Sequence, residues 1–289
     1  MTASSPSAPE RRQRGFTLTE LAVVFAIVAL LLASAMYTFS AQIENRNAGD
    51  TQRRLEDAKE LLLAFAIVNG RLPCPAAGTS NGDESPAGGG ACTDGYAGFL
   101  PARAIGFTPT DALGYGVDVW GNRIRYAVSI NANVAGNPDY TFTTAPVAPS
   151  TGIKYNFNPT STTSLTPLDL LVCSSYGASG STSTTAPSCG AAADVPPGVA
   201  VTNQNTVVAV IWSQGKNYNT ASYAAVAGQA GDDEKMNNKM RLPSANSNHG
   251  VFIHHAPRPF SEANEFDDQV VWLPAGLLYY RMIAAGVLP

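Results

Sequence analysis

The sequence predicts an α+β protein in which a long N-terminal helix packs against a mostly antiparallel, β-rich head. Three observations lead to this fold class. Residues 21–39 are apolar except for Ser34 and Thr38, and residues 51–68 follow with the pattern of an amphipathic helix. Beyond them, short β-branched segments alternate with clusters of Gly, Pro, Asn and Asp, which is typical of strands and turns.

This interpretation divides the chain into four segments. Residues 1–15 are a basic leader, 16–39 a transmembrane and assembly helix, 40–69 its amphipathic continuation, and 70–289 the head. A helix of about 20 apolar residues crosses a bilayer core of roughly 30 Å. Because the arginines precede the apolar stretch, the positive-inside rule places the leader in the cytoplasm. We therefore expect a single-pass membrane protein whose head lies on the side opposite the cytoplasm.

The amphipathic segment has apolar residues at spacings of three, four and seven, with charged residues between them. Those apolar residues are Leu55, Ala58, Leu62, Phe65 and Ala66. Such a stripe predicts that one face of the helix packs on the head. Asn69 and Gly70 together predict the end of the helix.

The head contains six segments with strand character and one with helix character. The candidate strands are residues 124–130, 139–143, 168–173, 206–212, 250–254 and 269–273. Residues 274–286 predict a C-terminal helix, because a proline stands at the first helical position and a glycine at the end. Residues 144–166 and 174–198 are rich in Ser, Thr, Pro and Gly, which predicts long surface loops.

The chain has four cysteines, Cys74, Cys92, Cys173 and Cys189. An even set in an exported head predicts disulfides, for which three pairings are possible. The short-range pairing, Cys74 with Cys92 and Cys173 with Cys189, closes two loops at the least entropic cost. A four-cysteine zinc site is disfavoured because no pair has C-x2-C spacing.

The most informative segment lies where the leader meets the apolar stretch. Gly15 and Phe16 are followed by Glu20, which stands at the start of the apolar helix. A carboxylate inside a membrane is disfavoured by at least about 2.5 kcal/mol unless a partner compensates it. An opposite charge close to the carboxylate would favour its ionised form. Glu20 therefore predicts a positively charged partner.

Two other interpretations of the N-terminus remain open. An ordinary secretory signal would be cleaved after Ala35, where small residues follow the apolar run. An uncleaved signal anchor would explain the apolar stretch as well. Either would make the chain an exported or membrane-anchored binding protein or enzyme.

The segment from Arg14 to Glu20 resembles the N-terminus of type IV prepilins and of the pseudopilins of type II secretion. The resemblance implies that a prepilin peptidase cuts between Gly15 and Phe16 and that Phe16 becomes N-methylated. It also implies that Glu20 acts in assembly, since the cut gives Phe16 a free ammonium that could neutralise Glu20 of a neighbouring subunit and so set the register. The same resemblance implies a location in the bacterial inner membrane with the head in the periplasm. The expected partners are the peptidase, other pilin or pseudopilin subunits and an inner-membrane assembly platform.

The head adds a second resemblance. The stretches 70–75, 100–101 and 118–126 (DVWGNRIRY) look like the segment that follows the long helix in many pseudopilins and minor pilins. The rest of the head is larger than that of a shaft subunit, which favours a minor subunit. The filament could belong to a type IV pilus, a type II secretion system or a DNA-uptake machine, and an adhesive tip pilin is an alternative.

The sequence gives less support for an enzyme, a nucleic-acid-binding protein or a metal-binding protein. The chain lacks a nucleophile elbow, an H-E-x-x-H motif and a Walker loop, so we expect no enzyme. The net charge of -4 and the lack of a basic patch argue against direct nucleic-acid binding. The acidic groups 232–234 and 265–268 leave room for Ca2+, although neither has EF-hand spacing, and we expect no other cofactor. The residues of a possible metal cluster are His249, His254, His255, Glu265, Asp267 and Asp268.

Overall fold

The computed structural model describes residues 15, 17–130, 142–146, 152–155, 157, 166–216, 218, 232–238, 249–258 and 266–289. Within these ranges it leaves the side chains of residues 34–41, 155, 232 and 235 undescribed. The chain divides into two compact units, Met1–Asn47 and Ala48–Pro289. We call them the N-terminal unit and the head unit. The fold class is α+β, as predicted.

A single helix of 52 residues, α1, runs from Leu18 to Asn69. It ends where the Asn-Gly pair predicts. The N–H of Gly70 donates to the carbonyl of Ala66 at 2.8 Å, which continues the helical pattern by one bond. Gly70 itself has a φ of 68°, in the left-handed region that glycine adopts without a steric penalty. This conformation turns the chain out of the helix.

In the N-terminal unit, large apolar side chains of α1 are exposed, including Leu18, Phe25 and Leu30. Within the described residues, no helix is both long and apolar enough to cross a membrane. Phe16 and the side chains of residues 34–39, which belong to the predicted span, lie outside those residues. The transmembrane half of the helix stays a prediction from the sequence.

The described part of the head unit forms two sheets and four short helices. The strands are β1 Gly98–Phe99, β2 Arg125–Val128, β3 Leu171–Ser175, β4 Val199–Ala200, β5 Val207–Ser213, β6 Val251–Ile253 and β7 Gln269–Pro274. The helices are α2 Ala102–Ile105, α3 Gly152–Tyr155, α4 Asp232–Asn237 and α5 Ala275–Ala284.

The main sheet has the order β1-β2-β5-β7, and every neighbouring pair in it is antiparallel. The second sheet has the order β4-β3-β6. There β3 pairs with β4 antiparallel and with β6 parallel. The mostly antiparallel head is therefore confirmed, with one parallel pair that the sequence did not predict.

The two sheets and α1 build the core of the head unit in layers. On one face of the main sheet, side chains of β2, β5 and β7 pack against α1 residues such as Leu55 and Leu62, together with Leu278 and Met282 of α5. On the other face, the sheet packs against the second sheet. The ring of Trp212 on β5 lies 4.9 Å from that of Phe252 on β6. Every residue of β5 is consequently buried, as expected of a strand covered on both faces.

Most predicted elements of the head are confirmed. Strands β2, β3, β5, β6 and β7 and helix α5 each overlap a predicted segment. The prediction of a strand at 139–143 is wrong for Phe142 and Thr143, which form a turn, and its first three residues lie outside the described residues. Phe142 accepts a backbone hydrogen bond from Leu72 and is buried in the core, which explains its apolar character without a strand.

Candidate functional site

The first turn of α1 is capped by three reciprocal hydrogen bonds between Thr17 and Glu20. The Glu20 carboxylate accepts from the Thr17 N–H at 2.9 Å and from the Thr17 hydroxyl at 2.8 Å. In return, the Thr17 hydroxyl accepts from the Glu20 N–H at 3.3 Å. This is a capping box, which satisfies N–H groups that the first turn of a helix leaves unpaired. Glu20 therefore fixes where the helix begins.

Both bonds to the Glu20 side chain use Oε2. No donor from the described residues contacts Oε1, and the whole residue is exposed. The T-x-x-E spacing could have revealed Thr17 as the cap, although sequence reasoning considered only Glu20.

Gly15 is exposed, and a Cβ built on it meets no atom of the described residues within 4 Å. The described part of the fold therefore does not require glycine at position 15. Phe16, the predicted new N-terminus, lies outside the described residues.

Both predicted disulfides are present in the head unit. Cys74 is bonded to Cys92, with their Cα atoms 5.3 Å apart. Cys173 on β3 is bonded to Cys189, with a Cα separation of 5.8 Å. The second bond anchors the predicted loop at 174–198, whose Cys189 is buried rather than on the surface.

The loop closed by Cys74 and Cys92 is organised around Glu84, which sequence reasoning missed. Its two carboxylate oxygens accept from the two Nη atoms of Arg71 at 2.7 and 2.6 Å. It also accepts from the backbone N–H groups of Gly88 at 3.0 Å and Cys74 at 3.3 Å. The Arg71 and Glu84 side chains are only 8% and 11% exposed, so this is a buried bidentate ion pair.

The D-V-W-G-N turn has a structural role in the head. The Asp118 carboxylate accepts from the N–H of Asn122 at 2.8 Å and from the hydroxyl of Ser213 at 2.6 Å. Burial raises the pKa of Asp118 above its ordinary value, although these hydrogen bonds oppose the shift. Arg54 on α1 donates to the carbonyl of Val117 at 3.0 Å. The turn thus joins α1 to the end of β5.

Three carboxylates meet between α4 and the start of β7. One oxygen each of Glu234, Asp267 and Asp268 lies within 4.8 Å of the others. Burial and the like charges of Glu234 and Asp267 raise the pKa of Asp268 well above its ordinary value. Both acidic groups considered for Ca2+ thus contribute to one cluster, while Glu265 lies outside the described residues.

In the described part of the chain, the histidines of the possible metal cluster do not converge on the acidic residues. His254 packs edge-on against the ring of Trp272, and His255 stacks on Phe266 and contacts Asp233 at 3.3 Å through Nε2. Burial is the main cause that lowers the pKa of His254. Among the described residues, the metal-ligating groups that converge are carboxylates only. Adjacent residues at a strand end diverge because side chains alternate between faces.

Comparison with known proteins places a recognised motif at the N-terminus. Residues 11–36 match the family model described as the prokaryotic N-terminal methylation motif. Comparisons with curated proteins and with solved structures give no significant match. The matched segment contains Gly15, Phe16 and Glu20. Through this segment the chain carries the hallmark of the type IV prepilin and pseudopilin family.

Proposed function

We propose that the chain is a pilin-like structural subunit, a minor pilin or pseudopilin, of a type IV pilus, type II secretion or DNA-uptake filament. A prepilin peptidase cuts it between Gly15 and Phe16, and Phe16 is then N-methylated. The observation that carries the proposal is the methylation motif at residues 11–36. Proteins of this family are typically structural rather than enzymatic, and we propose the same of this chain.

Glu20 acts at the assembly step. Its Oε2 caps its own helix, and its Oε1 is the atom that the N-terminal ammonium of a neighbouring Phe16 would reach. An ammonium on a carboxylate in an apolar bundle favours the charged form of both groups. The pairing would fix the axial offset between adjacent subunits, because each partner occupies a single position in the sequence.

Before assembly the subunit is inserted in the inner membrane, with the leader in the cytoplasm and the head in the periplasm. The exposed apolar side chains of the first part of α1 support this location. In water their exposure is unfavourable, since each large apolar side chain gains roughly 1.5–3 kcal/mol on burial. A bilayer, and then the α1 helices of other subunits, would cover them. Its partners are therefore the peptidase, other subunits and the assembly platform.

Processing is tested by Gly15→Ala in cells with an active prepilin peptidase. Because the added methyl group meets no atom within 4 Å, the variant should fold and insert normally. We expect it to accumulate as the uncut precursor, which migrates above the mature chain on a gel. Gly49→Ala is the matched control, since position 49 also has space for a Cβ but lies outside the motif. Wild-type processing of Gly15→Ala would refute the proposed cleavage.

Assembly is tested by Glu20→Gln, because glutamine keeps the capping box and removes only the charge. We expect normal membrane insertion and processing but reduced incorporation into filaments. Glu44→Gln makes the same change elsewhere on α1 and should incorporate normally. Equal incorporation of both variants would exclude the proposed pairing.

A further inference from the structure

We propose that the outer edge of β7 binds an extended peptide segment of a partner protein, which joins the main sheet as one more strand. β7 stands at the end of the strand order β1-β2-β5-β7, and β5 is its one neighbour among the described strands. The site lies within the head unit. It goes beyond the proposed function and does not depend on how the N-terminus is processed.

Hydrogen bonds at the end of β2 show which way the backbone of β5 faces. The N–H of Ser129, directly after β2, donates to the carbonyl of Val208 on β5 at 2.8 Å. The N–H of Val128 points away from β5 and donates to the carbonyl of Gly95 at 3.0 Å. Successive residues of a strand direct their backbone groups to opposite sides. Since Val208 faces β2, Ile211, three positions later, faces β7.

The same alternation identifies the outward groups of β7. Ile211 pairs with Val271, so the N–H and C=O groups of Val271 are used within the sheet. Val270 and Trp272 lie on either side of Val271, and their N–H and C=O groups therefore point away from β5. No hydrogen bond from a described residue reaches these four groups. Unpaired groups along a strand edge are a template for a further strand.

A groove of about 340 Å³ lies at this edge, and Val270 and Trp272 line it. One wall is a flank of α1, and His254, which follows β6, contributes to the other. The α1 wall consists of Gln52, Glu56 and Lys59. Because α1 packs on one face of the main sheet and the second sheet on the other, the groove opens between two layers. A free strand edge between two walls is a binding geometry for an extended peptide.

The unpaired backbone groups favour a strand over other occupants. Val270 is only 2% exposed, so its outward N–H and C=O groups have little contact with bulk water. Buried backbone groups without a partner are unfavourable. A helix satisfies its backbone groups internally and would leave those of β7 unpaired, whereas an added strand satisfies the groups of both chains. Pro274, which has no N–H, ends the row of donors.

The two walls define the side-chain chemistry of the partner, because the side chains of an added strand alternate between them. On the α1 wall, Glu56 and Lys59 form an ion pair. The Glu56 side chain is 46% exposed against 17% for Lys59, which favours a polar or basic side chain of the partner. On the other wall, the rings of His254 and Trp272 pack edge to face at 5.5 Å, which favours an apolar or aromatic side chain. The partner segment therefore alternates polar or basic residues with apolar ones.

The probe is a library of fluorescein-labelled peptides of six residues, the length of β7, in which Lys, Ser or Thr alternates with Val, Ile, Phe or Trp. Binding to the full-length chain in detergent is measured by fluorescence anisotropy. The tightest binder is then made in two N-methylated forms, one methylated on the odd-numbered amides and one on the even-numbered amides. An added strand pairs through only one of these sets. One form should therefore bind at least about tenfold more weakly, and the other should bind nearly as the parent peptide does.

Hydrogen exchange locates the bound peptide on the chain. At saturation with the parent peptide, the amides of Val270 and Trp272 should exchange at least about tenfold more slowly. The amide of Val271, which is already paired with β5, should be unchanged. Val270→Pro removes an outward N–H without breaking the pairing with β5, so it should weaken the binding of the parent peptide at least about tenfold.

Three results would overturn the proposal: a library without a binder, equal binding of the two N-methylated forms, or unchanged exchange at Val270 and Trp272. Wild-type dimers in sedimentation that Val270→Pro dissociates would assign the edge to a second copy of this chain, and would likewise overturn the assignment to a partner protein. If Val270→Pro does not fold, the N-methylated peptides and the exchange rates of the wild type still decide.

Discussion

Replacing Glu84 by glutamine should destabilise the head much more than the loss of an exposed charge on α1 does. Glutamine has nearly the same volume, so the change removes the charge without opening a cavity. It leaves the guanidinium of Arg71, whose side chain is 8% exposed, without its opposite charge. It also places an amide NH2 group against the Nη atoms that now donate at 2.6 and 2.7 Å.

The magnitude follows from that burial. Removing one partner of a buried ion pair typically costs about 3–5 kcal/mol, because the other charge stays buried and unpaired. Glu60→Gln is the matched control, since the Glu60 and Arg281 side chains form a pair at 3.2 Å but are 55% and 46% exposed. An exposed pair contributes at most about 1 kcal/mol.

The assay is urea unfolding of the mature chain in detergent, measured by tryptophan fluorescence, to which the buried Trp212 contributes. We expect the Glu84→Gln variant to lose several times more free energy of unfolding than Glu60→Gln. The double variant Arg71→Met with Glu84→Gln should recover part of the loss, because it removes the unpaired cation as well. The reasoning is refuted if Glu84→Gln and Glu60→Gln differ by less than about 1 kcal/mol.

Three further predictions concern the core, the D-V-W-G-N turn and the filament. Leu62→Ala should lower the free energy of unfolding by about 2–5 kcal/mol because Leu62 is fully buried, whereas Val68→Ala, at an 82% exposed position, should have little effect in the same urea titration. Because the pKa of Asp118 is raised, the folded state binds the proton of this carboxyl group more tightly than the unfolded state does. The stability of the wild type relative to Asp118→Asn should therefore decrease as the pH rises above about 3.9 through the folded pKa. Urea titrations from pH 4 to 7 that show no such decrease would contradict the shift. Quantitative mass spectrometry of sheared filaments should find the chain far below the major subunit in amount, and a chain that dominates the filament would contradict the minor-subunit assignment.

Local patterns predicted the helices and the longer strands. The stripe that includes Leu55 and Leu62 predicts the face of α1 that packs on the sheet, because helical spacing alone decides which residues share a face. Strands β1 and β4 contain two residues each, too few for a periodic pattern. The parallel pairing of β3 with β6 depends on contacts between segments about 80 residues apart, which no local pattern encodes.

The candidate sites likewise include residues that a local motif predicts and residues that only the folded chain brings together. Gly15, Phe16 and Glu20 lie in one contiguous motif and can be found from the sequence alone. The ion pair of Arg71 with Glu84 could not be predicted, because two exposed-looking charges in a loop become buried only once the loop closes.

Glu234 and Asp267 were recognised as members of two acidic groups, yet their approach depends on how α4 packs beside β6. His254 and His255 belong only to a possible metal cluster in the sequence, and in the described part of the chain they do not converge on these carboxylates. They are near the carboxylates in sequence, but the alternation of a strand end directs His254 and His255 to different neighbours.

The mass of the N-terminal peptide of the mature chain tests the central claim most directly. Filaments or membranes are prepared from cells with and without the prepilin peptidase, and the chain is digested and analysed by tandem mass spectrometry. With the peptidase, the account predicts a first peptide that begins at Phe16 and carries one methyl group on its amino nitrogen; without the peptidase, it predicts a chain that retains residues before Phe16. A mature chain that begins at Met36, as an ordinary secretory signal would give, contradicts the account.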